Sequence, residues 1–276
     1  MADVDTLINP NKSLWEKGDF SRVAETMRQS GEELVAGLDI RPAMKVLDLG
    51  CGDGTTALPM AHRGADVLGI DIAANLVAAG KARAREAGLD NVRFIEGDAS
   101  NLAGIADSSF DLLVTIFGAM FAPRPYDVAR EMVRVTRPGG KIVMANWIPG
   151  DPTLVAQILT ISAAYTPPPP DGFLSPMMWG EEAEVGRRFG AAGIAPARIS
   201  FQRATWSFRD DGTPVELLDT FRRFYGPVMN AFEAAARNGR DEQLGDELEA
   251  LFTAQNRGVD TTIIPATYLK VTVTSE

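Results

Sequence analysis

The sequence predicts an α/β domain with a doubly wound, largely parallel sheet, on three observations. Short apolar segments alternate strictly with helix-period segments between residues 44 and 147. The first apolar segment runs into a glycine-rich turn, Gly50-Cys51-Gly52-Asp53-Gly54, and from there into a helical segment. Residues 110–116, FDLLVTI, are almost continuously apolar, which suits a strand covered on both faces.

The elements follow in order. Residues 21–38 carry Val23, Met27, Leu34, Val35 and Leu38 at helical spacing, and Arg41-Pro42 ends that helix. A strand at 45–49 leads through the glycine turn to a helix at 55–62, in which Pro59 sits oddly. Strand 66–70, helix 73–87 stopped by Gly88, and strands 92–95 and 110–116 come next. Helix 127–136 closes on Arg137-Pro138-Gly139-Gly140, and strand 141–145 follows. Beyond Trp147 the pattern loosens around the stiff run Pro167–Pro170. A helix at 181–189, a strand at 198–208, a largely helical stretch at 214–256 and a strand at 268–274 complete the chain. The expected division is a helical cap over 1–40 and one domain over 41–276, with insertions 147–180 and 206–264 forming a lid.

Composition narrows the function. The 276 residues are 45% hydrophobic, enough for a sizeable core. A formal charge of −10 repels phosphate backbones, so nucleic acid is not an expected partner. One cysteine and one histidine offer no disulfide and no expected metal site, and fit a reducing cytoplasm. No run approaches the ~18–20 apolar residues of a membrane span, so no membrane insertion is expected. The opening MADVDTLINPNKSLW lacks the basic start and apolar stretch of a signal peptide. Nothing in the text sets an oligomeric state.

The chemistry lies in Val46-Leu47-Asp48-Leu49-Gly50-Cys51-Gly52-Asp53-Gly54. A dinucleotide fingerprint would place its third glycine at position 55, where Thr55 stands. Asp48 would set a negative charge beside a pyrophosphate, and suits an ammonium group instead. Asp71, closing the second strand, can accept from a ribose diol. Asp98, in Gly97-Asp98-Ala99 past the third strand, can accept from an adenine amino group. The ligand so described has an adenine, a free ribose and an ammonium group, and no phosphates.

At VLDLGCGDG, VLGID, IEGDA, FDLLVTIFG and RVTRPGGKIVMANW the chain resembles the class I S-adenosylmethionine-dependent methyltransferases. Within the class it resembles the small-molecule branch that includes the quinone C-methyltransferases. The resemblance implies a Rossmann-like seven-stranded sheet of order 3-2-1-4-5-7-6 with the last strand antiparallel. It implies S-adenosylmethionine as cofactor, bound by Asp48, Gly50, Cys51, Gly52, Asp71, Ile72, Asp98, Ala99, Thr115 and Ile116. Gly50, Cys51 and Gly52 would meet the methionine part, and Asp71 the ribose. Asp98 and Ala99 would flank the adenine, with Thr115 and Ile116 lining the methionine end. Thr115-Ile116-Phe117-Gly118 is not the Asn/Asp-Pro-Pro-Tyr text of enzymes that methylate amide or adenine nitrogens. That speaks against DNA bases and protein glutamine.

Methyl transfer from a sulfonium is an in-line displacement that depends on holding nucleophile and methyl ~3 Å apart in a dry pocket. It needs no strong base. His62 falls at the far end of its helix, away from the turn; a tyrosine base would be Tyr126, Tyr165 or Tyr225. The lid segments carry Trp15, Phe20, Trp147, Tyr165, Phe173, Trp179, Phe221 and Tyr225 among others, an inventory suited to a small apolar or aromatic acceptor. The competing expectation is a protein of the same fold that binds S-adenosylmethionine without methylating, as another enzyme, a sensor or a partner subunit.

Overall fold

A computed structural model describes residues 11–276; residues 1–10 of the expected cap and lid lie outside the described residues. Seven strands form one sheet: β1 Lys45–Leu49, β2 Asp66–Asp71, β3 Val92–Glu96, β4 Phe110–Ile116, β5 Thr136–Trp147, β6 Ile199–Asp210 and β7 Thr262–Thr274. Their order is β3-β2-β1-β4-β5-β7-β6. β1 to β5 pair in parallel, and β7 runs antiparallel between β5 and β6. This is the expected sheet. Both faces are covered, so Leu47, Leu49, Leu113, Val114 and Ile142 are buried.

The helices are α1 Lys12–Glu16, α2 Phe20–Glu25, α3 Arg28–Ala36, α4 Ala57–His62, α5 Ala74–Glu86, α6 Pro125–Val135, α7 Leu154–Ala163, α8 Glu182–Ala191, α9 Pro214–Phe224, α10 Gly226–Arg237 and α11 Asp241–Gln255. No helix among the described residues is long and apolar enough to cross a membrane.

The differences from the periodic reading have local causes. The single helix over 21–38 is two helices, α2 and α3. Thr26 turns its hydroxyl back onto the Val23 carbonyl (2.7 Å), and its own carbonyl accepts Arg209 N–H of β6 (2.8 Å). Ser30 Oγ accepts Ser207 N–H and donates to Ser207 O, both at 3.0 Å. The broken helix thus covers the otherwise open edge strand. Helix α4 starts at Ala57, two residues late, because Thr56 directs its side chain to Asp48. Pro59 therefore falls in the first turn, where its missing N–H has no intrahelical partner to lose. Helix α7 lies inside the stretch read as a loose insertion. Its sequence LVAQILTISA is apolar nearly all round, and it packs against α10, α11 and β7.

Candidate functional site

The site starts where β1 and β4 end side by side. A Cβ on Gly50 (φ +71°) would stand 2.6 Å from the Gly118 Cα, so the two backbones touch where no side chain fits. Gly50 N and Cys51 N both donate to Ile70 O (2.7 and 3.1 Å), which fixes the turn to β2. Gly52 (φ +54°) has nothing within 4 Å of where a Cβ would be. Its backbone faces open space.

Two acids hold the turn. Asp71 Oδ2 accepts Gly52 N–H at 2.8 Å, and its Oδ1 accepts Ala73 N–H at 2.9 Å. Asp53 is buried and takes both terminal nitrogens of Arg28, one at 2.7 Å. Arg83 Nη1 donates to the Asp53 carbonyl at 2.7 Å. The glycine turn is therefore clamped between α3 and α5 by charge-assisted bonds. Sequence reading assigned Asp53 no role.

Above the turn opens a cleft of about 940 Å³, its mouth included. Of the expected residues, Gly50, Cys51, Gly52, Asp71, Ile72, Ala99 and Ile116 line it. Asp48, Asp98 and Thr115 do not. Asp48 is buried behind the turn, where one carboxylate oxygen accepts the Thr56 hydroxyl at 2.7 Å and the other has no partner. Thr115 Oγ1 accepts Ala119 N–H at 3.0 Å and so shapes the backbone beside Gly118. Asp98 Oδ1 accepts the Ser100 amide and hydroxyl at 2.8 and 2.7 Å.

Electrostatics in this corner are dominated by burial. Asp48 is pushed up to about 7 by desolvation, with the nearby Asp71 charge adding to the effect. Asp71 is raised for the same first reason, despite its backbone hydrogen bonds. The Cys51 thiol is pushed well up by burial and the surrounding acids, so it stays neutral.

A second chamber, of about 360 Å³ with its opening included, shares Trp15, Phe20, Met27, Phe117 and Phe121 with the cleft. It continues to Trp147, Phe221 and Tyr225. Phe117 stands between the two spaces with φ +58°, a left-handed conformation rare for a bulky side chain. Its ring lies flat on Trp147, centroids 3.6 Å apart and planes within 2°. Neither Phe117 nor Trp206, which also borders the cleft, was singled out from sequence.

The remaining expected residues separate cleanly. Tyr165 donates to Glu247 of α11 at 2.8 Å and lines neither space. Tyr126 is exposed on α6, and Phe173 is 54% exposed. Trp179 is buried against Phe189 and Arg188, away from both spaces. Of the three candidate tyrosines only Tyr225 borders the chamber, and burial raises its hydroxyl, which makes it a poor base. His62 is exposed at the far end of α4.

Helix α1 crosses the mouth of the cleft. Lys12 Nζ donates to Ile72 O and pairs with Glu16, each at 2.9 Å, and also pairs with Glu96. Glu16 Oε1 accepts Ala74 N–H at 3.0 Å, and Asn11 Nδ2 donates to Phe121 O.

Comparison with known proteins agrees with this architecture. A family model described as "Methyltransferase domain" matches residues 47–144. An uncharacterized protein of Mycobacterium tuberculosis is 34% identical over 227 residues, covering 82% of this chain and 80% of its own. The demethylmenaquinone methyltransferase of Paenarthrobacter aurescens is 39% identical over 114 residues, 41% of this chain and 43% of that enzyme. The crystal structure of the YcgJ protein of Bacillus subtilis shares the fold with a TM-score of 0.55 at 19% identity, over 90% of this chain and 99% of that one. With the sheet order and the glycine turn at its centre, these likenesses show that the chain belongs to the class I S-adenosylmethionine-dependent methyltransferases, an enzyme of methyl transfer that resembles the quinone methyltransferases.

Proposed function

We propose that the cleft over the glycine turn holds S-adenosylmethionine and that the acceptor is a small apolar or aromatic molecule seated in the adjoining chamber. The observation that carries this is the shared wall: Trp15, Phe20, Met27, Phe117 and Phe121 border both spaces. A molecule in the chamber therefore meets one in the cleft across Phe117.

The cofactor's chemistry fits the residues present. Gly52 offers bare backbone toward the cleft, and Gly50 and Cys51 would run beside the methionine part. Asp71 borders the cleft and keeps acceptor capacity beyond its bonds to the Gly52 and Ala73 amides, which suits a ribose hydroxyl. Ile72 and Ala99 give apolar cover for the adenine, with Asp98 ordering the loop that carries Ala99. Asp48, with a buried oxygen unpaired, supplies the negative potential that an ammonium group requires. Ile116 borders the methionine end, and Thr115 fixes the backbone beneath it.

The bound cofactor supplies an electrophilic methyl group on a sulfonium. The chain's own work is alignment and exclusion of water. The aromatic wall is dry, and it offers no side chain suited to act as a base. The lid in this reading is built from α1, α2 and the segment around α9 and α10. The 147–180 stretch contributes only Trp147 and Val155 to the chamber wall.

Incubation with S-adenosylmethionine and a panel of phenols, ring ketones and charged amines, read by mass spectrometry, tests the reading. Transfer to aromatic acceptors with formation of S-adenosylhomocysteine is expected. Transfer confined to the charged amines would overturn it.

A further inference from the structure

Trp206 carries a hydrogen-bond donor that the structure leaves unmet. It lies on β6, is 1% exposed, and its Nε1–H is buried with no partner. Among the described residues, other buried N–H groups without partners belong to Asn146, Trp179, Arg188 and Arg209, and none of these borders the cleft or the aromatic chamber. Trp206 does border the cleft. A donor stripped of water and left unpaired is costly, and an oxygen brought by a ligand would relieve that cost.

The position of the donor is as telling as its isolation. The Trp206 ring meets Phe117 edge to face, centroids 5.1 Å apart at 88°. Phe117 is the residue in the left-handed conformation, and it is followed by Gly118, packed against Gly50. Backbone strain of this kind persists where the surroundings impose it, and it gathers at functional sites. Here it turns the Phe117 ring flat onto Trp147, 3.6 Å away. The neighbours Phe20, Met27 and Phe121 bring no hydrogen-bonding side chain to this junction. Trp15 and Tyr225 carry donors farther along the wall, but neither contributes a sealed, unpartnered N–H.

We infer that Trp206 selects the acceptor: its indole N–H binds an oxygen of a flat aromatic phenol or ring ketone whose ring occupies the chamber beside Phe117 and Trp147. This rests on the reading of the chamber as the acceptor site. Held by its oxygen and its face, the acceptor presents one atom to the cleft. For a phenol, donation to that oxygen favours phenolate over phenol, its proton leaving to bulk water before the chamber closes. The nucleophile is thereby sharpened without a base, which matches a wall that lacks one.

The full chain saturated with S-adenosylhomocysteine is titrated with 2-naphthol and with naphthalene, followed by calorimetry and by the indole N–H resonances of its four tryptophans. The Trp206 resonance is identified by its loss in Trp206→Phe. The expected result is a downfield shift of that resonance with 2-naphthol and none with naphthalene. 2-Naphthol should bind about tenfold more tightly, a difference that shrinks to about twofold or less in Trp206→Phe. Equal affinity for the two probes, no binding of either, or a Trp206 resonance indifferent to bound 2-naphthol overturns the inference while leaving the cofactor site standing. Failure to bind S-adenosylhomocysteine overturns the parent reading and this one with it. If Trp206→Phe does not fold, the resonance is assigned by elimination with Trp15→Phe, Trp147→Phe and Trp179→Phe, and the wild-type shift still decides.

Discussion

Thr56 Oγ1 donates a 2.7 Å hydrogen bond to one carboxylate oxygen of Asp48 and leaves the other oxygen buried without a partner. Burial outweighs this bond and the pull of the Ala57 backbone amide, and lifts the carboxyl from 3.8 to about 7. The folded chain then binds a proton at Asp48 over a pH range in which the unfolded chain has released it. Stability from this group is full below the unfolded value and is lost as pH rises through the folded one. Unfolding of the cofactor-free protein in urea should show stability falling between about pH 4 and pH 7, by about 4 kcal/mol. Asp71 is shifted in the same direction and adds to the slope. Asp48→Asn should flatten the curve in that window. An identical slope in wild type and variant would place the proton elsewhere.

The same carboxyl predicts how cofactor binding responds to pH. An ammonium group near Asp48 favours its charged form, so binding below pH 7 releases a proton. Affinity for S-adenosylhomocysteine should therefore rise from pH 5.5 to pH 7.5, by roughly tenfold per unit at the steepest point. The nucleoside 5′-methylthioadenosine lacks the ammonium and should show a flatter profile. Parallel profiles for the two ligands in calorimetry would mean that Asp48 does not sense the amino acid end.

Asp71 has two tasks where the sequence suggested one. It ends β2 facing the cleft, and it also holds Gly52 and Ala73 through their amides. Asp71→Ala should weaken S-adenosylhomocysteine binding by roughly 1.5–3 kcal/mol, the usual worth of hydrogen bonds to a charged group. It should also lower the melting temperature, because two buried N–H groups lose their acceptor. Unchanged affinity, with the fold intact by circular dichroism, would put the ribose elsewhere.

His62 provides the negative control. It is exposed at the carboxyl end of α4, and neither the cleft nor the chamber includes it. His62→Ala should change turnover less than about twofold, against the ~10²–10⁴-fold expected of a general base. A loss in that larger range would show that the reacting centre lies on the other side of the sheet.

These expectations divide by how far apart the cooperating residues stand in the chain. β1, the glycine turn and Asp71 were legible because each is set by local pattern: a buried strand, a turn only glycine can make, an acid at a strand end. Asp53 was not, since its partners Arg28 and Arg83 stand 25 and 30 residues away and only the fold brings them in. The long helix over 21–38 failed for a related reason. Its periodicity is real, but the Thr26 carbonyl is needed by Arg209, far along the chain. Phe117 and Trp206 meet only because β6 returns beside β7 at the far side of β5. In sequence they look like two more core aromatics. Thr115 and Asp98 were placed in the right neighbourhood, but their side chains order the backbone and do not line the cleft.

The last prediction concerns α1, which the hydrophobic pattern did not reveal because five residues are too few to show a period. Its polar attachments all lie at the rim. Lys12 reaches Ile72 O, Glu16 and Glu96, while Glu16 caps Ala74 N–H at the start of α5. Trp15, on the same helix, closes over both the cleft and the chamber. No residue of α1 is buried, so little hydrophobic burial holds it down. A five-residue segment fixed by ion pairs at the rim and by one tryptophan, Trp15, against Phe20, Phe121 and Tyr225 opens at modest cost, which a substrate gate requires. Ligand beneath Trp15 should add contacts and slow that opening. Amide hydrogen exchange over residues 12–25 should therefore slow when S-adenosylhomocysteine binds, and slow further when an aromatic acceptor joins it. Lys12→Ala should speed S-adenosylhomocysteine release by about twofold to fivefold, in keeping with the modest worth of exposed pairs, and high salt should do the same to the wild type. Exchange in α1 that ignores both ligands, with release rates insensitive to Lys12 and to salt, would make α1 a fixed part of the wall and move the gate to another segment.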